Sequence, residues 1–185
     1  LHLGLNKSAE ELKLGKTNLW IYPGYDHDRN VQEFINNPEK DFPVVYVSFP
    51  SAKDDAWNEN HDGYATIEAI TLANWDWYAK WQDLPWKKRG EDYEKEKEII
   101  SQRILDVVFK HIPQANDALA YAELSTPLTV NSLANYSKGE MYGISHTSKR
   151  FHQKWLRPRT KINNLFLTGQ DITTVGVTSA LFSGL

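Results

Sequence analysis

The residues most capable of chemistry lie near the C-terminal end, in the sequence Asn164-Leu-Phe-Leu-Thr-Gly-Gln-Asp171 and in Thr173-Thr-Val-Gly-Val-Thr-Ser-Ala180 just after it. This pattern predicts a short buried strand over 165–168, a tight turn, and a helix of small residues over 174–185. Ligands in α/β proteins bind where a strand passes into the following helix. The pattern therefore indicates a ligand site at this junction, and an ordinary turn that binds nothing is the alternative.

Three residues of this segment are suited to a nucleotide-like ligand. Gly169 lets the chain turn and approach a ligand, because glycine tolerates backbone angles that other residues do not. Gly176, near the helix start, allows a pyrophosphate to approach free backbone N–H groups. The Asp171 carboxylate can accept hydrogen bonds from ribose or ribityl hydroxyls, and each such charged bond contributes roughly 1.5–3 kcal/mol.

The composition narrows the classes of function. The chain has 185 residues, 41% of them hydrophobic, with a net charge of −3, which is typical of a globular protein of one domain or slightly more. No basic block occurs, so we predict no nucleic-acid partner. The absence of cysteine excludes disulfides, thiolate catalysis and zinc–sulfur sites. It also fits a reducing compartment, and we predict a cytoplasmic location. No GxSxG or P-loop sequence supports serine-hydrolase chemistry or nucleotide hydrolysis.

The rest of the chain predicts a sheet with packed helices. Runs of β-branched and aromatic residues predict strands, and apolar residues at helical spacing predict helices. The predicted strands are Asn18–Pro23, Pro43–Phe49, Tyr64–Thr71 and Leu119–Leu124, and the predicted helices are Asn30–Asn36, Trp75–Trp81 and Asp92–Ile112. Asn30 is the expected N-cap of the first helix. Alternation within the third strand predicts that Ala65, Ile67 and Ala69 share one face.

Two further groups of residues admit a functional interpretation. The tryptophans at positions 75, 77, 81 and 86 could line an apolar or sugar-binding groove, but core packing between helix and sheet is the favoured interpretation. Asp26-His27-Asp28 and His61-Asp62 contain metal-ligand types without a partner at a recognised spacing. They are interpreted as solvated turns, and we predict no metal site.

A series of short motifs resembles a known family when it is read in chain order. The motifs are Pro50-Ser-Ala-Lys-Asp54, Lys88-Arg-Gly-Glu-Asp-Tyr93, Ser125-Thr-Pro-Leu-Thr129, Gly139-Glu-Met-Tyr-Gly143 with His146, Arg150-Phe151, Leu156-Arg-Pro-Arg-Thr160 and the C-terminal Thr168-Gly-Gln-Asp171. Together they resemble the C-terminal portion of the phytoene desaturase and retinol saturase group of FAD-dependent oxidoreductases. The resemblance covers roughly residues 42–185.

The resemblance implies a fold and a cofactor. Members bind FAD in a Rossmann-like domain made from both ends of the chain, and the GxGxxG of the N-terminal end is absent here. The cofactor-binding residues implied are Gly169, Gln170, Asp171, Gly176 and Val177. The implied fold class is α+β, with a mixed or antiparallel sheet and packed helices in a substrate-binding domain over 1–160. A short strand–helix piece of the FAD domain follows over 161–185.

The resemblance also implies an activity. It predicts an enzyme that saturates or desaturates a carbon–carbon bond of an isoprenoid or retinoid-like polyene by hydride transfer, with NAD(P)H open as the reductant. By motif position alone, Tyr142 and His146 are the catalytic candidates; a packed tyrosine and a surface histidine are the alternatives, and are favoured.

Further expectations follow for the chain by itself. It is expected to be inactive alone, with apolar side chains of 172–185 left exposed or used in a dimer contact. Peripheral membrane association is open, because family substrates are apolar lipids. The alternative function is a stand-alone binding module that uses the tryptophan-rich stretch as an apolar or sugar-binding surface.

Overall fold

The computed structural model describes residues 1–184, and within them one five-stranded antiparallel sheet carries the fold. The strands are β1 (His2–Leu5), β2 (Leu19–Ile21), β3 (Val45–Ser48), β4 (Ala65–Ile70) and β5 (Leu119–Glu123). Their order across the sheet is β2-β3-β4-β1-β5. With its packed helices this is an α+β protein, so the predicted fold class is confirmed.

The helices range from single turns to one long helix that supports the sheet. They are α1 (His27–Asn36), α2 (Pro50–Lys53), α3 (Trp57–Asn60), α4 (Glu91–His111), α5 (Pro127–Ala134), α6 (Ser148–Phe151) and α7 (Val177–Phe182). The long helix α4 was predicted to within one residue at each end. Acidic residues occupy its first turn and Lys110 and His111 its last turn, which complements the helix dipole.

Alternation along the strands sends one side of the sheet into the core. Ala65, Ile67 and Ala69 of β4 are buried as predicted, and they share a hydrophobic cluster with Ile104 and Val108 of α4. Burying a branched aliphatic side chain contributes roughly 1.5–3 kcal/mol. The sheet is therefore held by its contact with α4 as well as by its backbone hydrogen bonds.

The opposite side of the sheet is open and partly apolar. Trp20 of β2 lies opposite Tyr46 of β3, which lies opposite Ile70 of β4, so the three form a row across the sheet. The rings of Trp20 and Tyr46 are 4.7 Å apart, and Trp20 is 61% exposed. Antiparallel sheets commonly leave one face solvated, but a row of large apolar side chains there is available for a contact.

Several local predictions were wrong. Asp26, not Asn30, caps α1, because its carboxylate accepts the Arg29 N–H at 3.2 Å and the helix begins three residues earlier. The segment over 75–81 forms two consecutive 3₁₀ turns instead of one helix. Strand β1 was not predicted, since four residues containing Gly4 give a weak signal. Its pairing with β4 and β5 makes it a strand.

The chain divides into two compact units, Leu1–Thr129 and Val130–Leu185. Within the second, the strand predicted over 165–168 is reduced to a single bridge between Phe166 and Arg159. A strand needs a continuous neighbour, and the bridge is all that residues 130–184 supply. The C-terminal helix covers 177–182 of the predicted 174–185, and Leu185 lies outside the described residues. The division into a substrate-binding domain over 1–160 and a flavin piece over 161–185 stays a prediction.

Candidate functional site

The site predicted from sequence lies in the second unit, where Asp171 is fixed by a loop distant in sequence. Its Oδ1 accepts the backbone N–H of Ile144 at 2.8 Å. Gly143 makes this approach possible: an added Cβ would overlap Oδ1 and lie 2.8 Å from the carboxylate carbon. Asp171 is half-buried and forms no ion pair among the described residues. Its second oxygen, Oδ2, has no hydrogen-bond donor among residues 1–184, so it can accept from a ligand.

The glycines on either side of Asp171 leave the backbone accessible. Gly169 and Gly176 have φ angles of +113° and +104°, and an added Cβ at either would meet nothing within 4 Å. Gly176 directly precedes α7, whose first residue is Val177. The predicted role of these glycines, a backbone open to a ligand, is compatible with this geometry.

Ser183 joins the start of the turn to the end of α7. This buried hydroxyl accepts the Gly169 N–H at 2.7 Å and lies 2.8 Å from the Thr168 hydroxyl. The two hydrogen bonds give 168–169 a fixed position without a sheet neighbour. Nothing in the sequence singled out Ser183, because a serine in a small-residue helix carries no local signal for a contact fourteen residues away.

A buried arginine holds the other half of the turn. Arg150, whose α6 is capped by Thr147, donates to the carbonyl of Ile144 at 2.7 Å and to that of Gln170 at 2.7 Å. A longer bond of 3.3 Å reaches the carbonyl of Thr173. The sequence indicates Arg150 only as part of the Arg150-Phe151 motif. Its role could not be predicted, since all three partners are backbone carbonyls that no side-chain pattern reveals.

The two catalytic candidates differ in their surroundings. The His146 Nε2 accepts the Val175 N–H at 2.8 Å, and its ring also receives the Arg150 guanidinium at about 3 Å. Tyr142 is exposed and has no hydrogen-bond partner among the described residues. The structure thus brings His146, but not Tyr142, against the segment that carries Asp171.

Gln170 connects the turn to the preceding motif. Its side-chain amide donates to the Tyr136 hydroxyl and to the Met141 carbonyl, each at 3.2 Å. Glu140 directly precedes Met141 in this motif. Hydrogen bonds from the backbone N–H groups of Glu140 and Lys138 lower the pKa of the Glu140 carboxyl, which is therefore ionised at neutral pH. Gln170 was predicted to bind the cofactor. Its side-chain N–H groups instead donate to protein atoms, and its Oε1 remains available for other contacts.

The tryptophan-rich stretch belongs largely to the core. Trp81 is 6% exposed and packs edge-on against Tyr93 at 5.3 Å, while Trp77 packs edge-on against Phe34 at 5.3 Å. Trp75 is half-buried and Trp86 lies on the surface. The groove that the binding-module alternative requires is therefore not formed by these residues, and the core-packing interpretation describes three of the four.

Comparison with known proteins finds relatives that align with the whole chain. It is 33% identical to the all-trans-retinol 13,14-reductase of Danio rerio over 192 residues, an alignment that covers 100% of this chain and 32% of the relative. The enzymes of the same name from Rattus norvegicus and Homo sapiens are each 32% identical over 188 residues, covering 98% of this chain and 31% of theirs. The chain is homologous to the retinol saturase group. The resemblance stated from the sequence motifs is thereby confirmed for that group.

The homology extends over a part of those relatives only. The chain spans about a third of their length, and the matched third is the C-terminal one. No family model matches the chain, and no solved structure does. Within residues 1–184, none of the helices has the length and apolar character needed to cross a membrane.

Proposed function

We propose that this chain forms part of a flavin-dependent oxidoreductase that saturates a carbon–carbon double bond of a retinoid or related polyene. The observation that carries the proposal is the match of nearly the whole chain to the C-terminal third of proteins named all-trans-retinol 13,14-reductase. Saturation adds a hydride and a proton across the double bond. The name of these relatives favours this direction over desaturation, which the motifs alone left open.

The residues of the turn fit an FAD molecule. Asp171 offers the free Oδ2 to a ribose or ribityl hydroxyl, and Gly169 and Gly176 leave space where other residues carry a Cβ. The backbone N–H groups of Asp171 and Thr174 have no acceptor among the described residues, so they are available to ligand oxygens. When bound, FAD supplies the hydride chemistry; the protein residues supply its position. NAD(P)H remains the proposed reductant of the flavin.

The open face of the sheet is the proposed surface for the polyene. A conjugated hydrocarbon has almost no hydrogen-bonding groups, so its binding depends on apolar contact area. The row formed by Trp20, Tyr46 and Ile70 supplies such area within the first unit. Tyr121 of β5 adds a further exposed aromatic ring on the same sheet.

Exposed apolar side chains near α7 support the placement of this chain within a longer flavoprotein. Val177 is 79% exposed, and Val175, Leu181 and Phe182 are also exposed. Soluble proteins rarely leave several large apolar side chains together in water. We propose that another part of the flavin domain covers them, and a dimer contact is the alternative. Peripheral association with the membrane that holds the substrate is part of the same proposal.

The proposed activity is tested on a form of the protein as long as its relatives, with all-trans-retinol as the substrate and a chemical reductant. Loss of the long-wavelength absorption of the polyene, with a product two hydrogens heavier, is the expected result. Trp20→Ala should raise the KM for retinol about tenfold or more, since it removes an apolar contact of about 1.5–3 kcal/mol and each 1.4 kcal/mol is a factor of ten in affinity. Trp86→Ala removes an exposed tryptophan outside the row and is the matched control. No reduction by a folded, flavin-loaded protein would overturn the proposed substrate.

A further inference from the structure

Arg150 is a buried cation whose hydrogen bonds go to backbone carbonyls and an imidazole ring, with no carboxylate among them. The side chain is 4% exposed, and its guanidinium donates to the carbonyls of Ile144, Gln170 and Thr173 and to the ring of His146. Within residues 1–184 it forms no ion pair, and its Nε has no hydrogen-bond partner. Burial of a charge without a counter-ion is costly, so hydrophobic packing alone does not account for an arginine here.

The carbonyls that accept hydrogen bonds from Arg150 determine the direction of the N–H groups in the same peptide units. In a trans peptide the C=O and the following N–H are antiparallel, and the described chain contains no cis peptide. With the Gln170 and Thr173 carbonyls directed at the guanidinium, the N–H groups of Asp171 and Thr174 face away from it. Those two N–H groups have no acceptor among the described residues.

Ile144 links the guanidinium to the carboxylate of the site. Its carbonyl accepts from Arg150 at 2.7 Å while its own N–H donates to Asp171 Oδ1 at 2.8 Å. His146, two residues later, receives Arg150 on its ring and accepts the Val175 N–H. Arg150 thus fixes both ends of the segment 170–175 through contacts that a rigid, planar fork of donors can make simultaneously.

We infer that Arg150 is the positioning residue of the segment 170–175. It holds the Asp171 carboxylate and the N–H groups of Asp171 and Thr174 in the orientation that a ligand meets, without touching the ligand itself. The inference rests on the proposed function for the identity of that ligand, FAD. Beyond the proposed function, the inference assigns the orientation of the site to one buried side chain.

The inference is tested first in the 185-residue chain, by amide hydrogen exchange of Arg150→Lys and Arg150→Met. Loss of a hydrogen bond from a charged donor should speed exchange of the Ile144 and Val175 amides about tenfold or more. The Ala180 amide, which donates to Gly176 within the helical end of the unit, should change little. Lysine keeps the charge but cannot reach three carbonyls, so Arg150→Lys should resemble Arg150→Met. Arg157→Met is the control, because Arg157 also donates to backbone carbonyls but is exposed.

Two results would overturn the inference. Unchanged exchange at Ile144 and Val175 would show that Arg150 does not hold the segment. Equal acceleration at Ala180 would show a general loss of stability instead of positioning. In the longer flavin-loaded protein, Arg150→Lys should weaken FAD binding about tenfold with the Arg157→Met control unchanged. If the unaltered protein binds no FAD, the proposed function fails, while the exchange experiment still decides the role of Arg150.

Discussion

Replacement of Gly143 by alanine should disrupt the position of Asp171. The glycine has a φ of +67°, where an L-residue costs about 1–2 kcal/mol. The added Cβ would also overlap Asp171 Oδ1, which must then move and lose the Ile144 N–H. Loss of that charged hydrogen bond costs about 1.5–3 kcal/mol. The combined cost is therefore about 3–5 kcal/mol in the local stability of this loop.

Hydrogen exchange of the Ile144 amide measures this cost directly, because exchange reports the free energy of local opening. Gly63→Ala is the matched control: its φ is +74° and its added Cβ would meet nothing within 4 Å. The control should lose only about 1–2 kcal/mol of opening free energy at the neighbouring Tyr64 amide. If Gly143→Ala costs no more than Gly63→Ala, the contact between Gly143 and Asp171 is not formed and the described site geometry is refuted.

Three further predictions concern the first unit. Ile67→Ala should lower the free energy of unfolding by about 2–5 kcal/mol in urea titrations, since Ile67 is fully buried in the sheet; the exposed Ile99→Ala should cost below about 0.5 kcal/mol. Burial raises the pKa of Tyr78 from 10.0 to about 12. The neutral phenol therefore stabilises the fold below pH 10, and this contribution is lost as the pH rises to 12. Tyr78→Phe should reduce the fall in the free energy of unfolding over this pH range. Asp26→Ala should cost about 1 kcal/mol through the lost cap of α1, and Asp26→Asn should not.

Periodic patterns in the sequence predicted most of the first unit because they reflect burial directly. The alternation of Ala65, Ile67 and Ala69 and the helical spacing of apolar residues in α4 each reflect one buried face, and the structure contains both elements. Strand β1 was missed because its pairing with distant β4 and β5, and not its four residues, makes it a strand. Asp26 is the N-cap of α1 in place of Asn30, because the helix begins earlier in the chain than predicted.

The sequence indicates the candidate residues but not the contacts that hold them in place. Gly169 and Asp171 follow from the types of residue that a nucleotide-like ligand needs, and motif order led to the retinol saturase group. Gly143, Arg150 and Ser183 hold those residues through backbone atoms or through contacts 14 to 28 positions away. Local sequence does not encode such partners, because any carbonyl or N–H can serve once the chain is folded.

Binding of flavin is measured by the visible absorption spectrum of the protein. It should be measured on a purified form as long as the relatives and on the 185-residue chain, each with added FAD. We expect a bound-flavin spectrum in the long form and none in the short one. Asp171→Ala should abolish it, and Asp171→Asn, which keeps an oxygen for the Ile144 N–H, should weaken it about tenfold. A folded long form that binds no flavin, or an Asp171→Ala variant that binds it normally, would show that Asp171 does not belong to a flavin site.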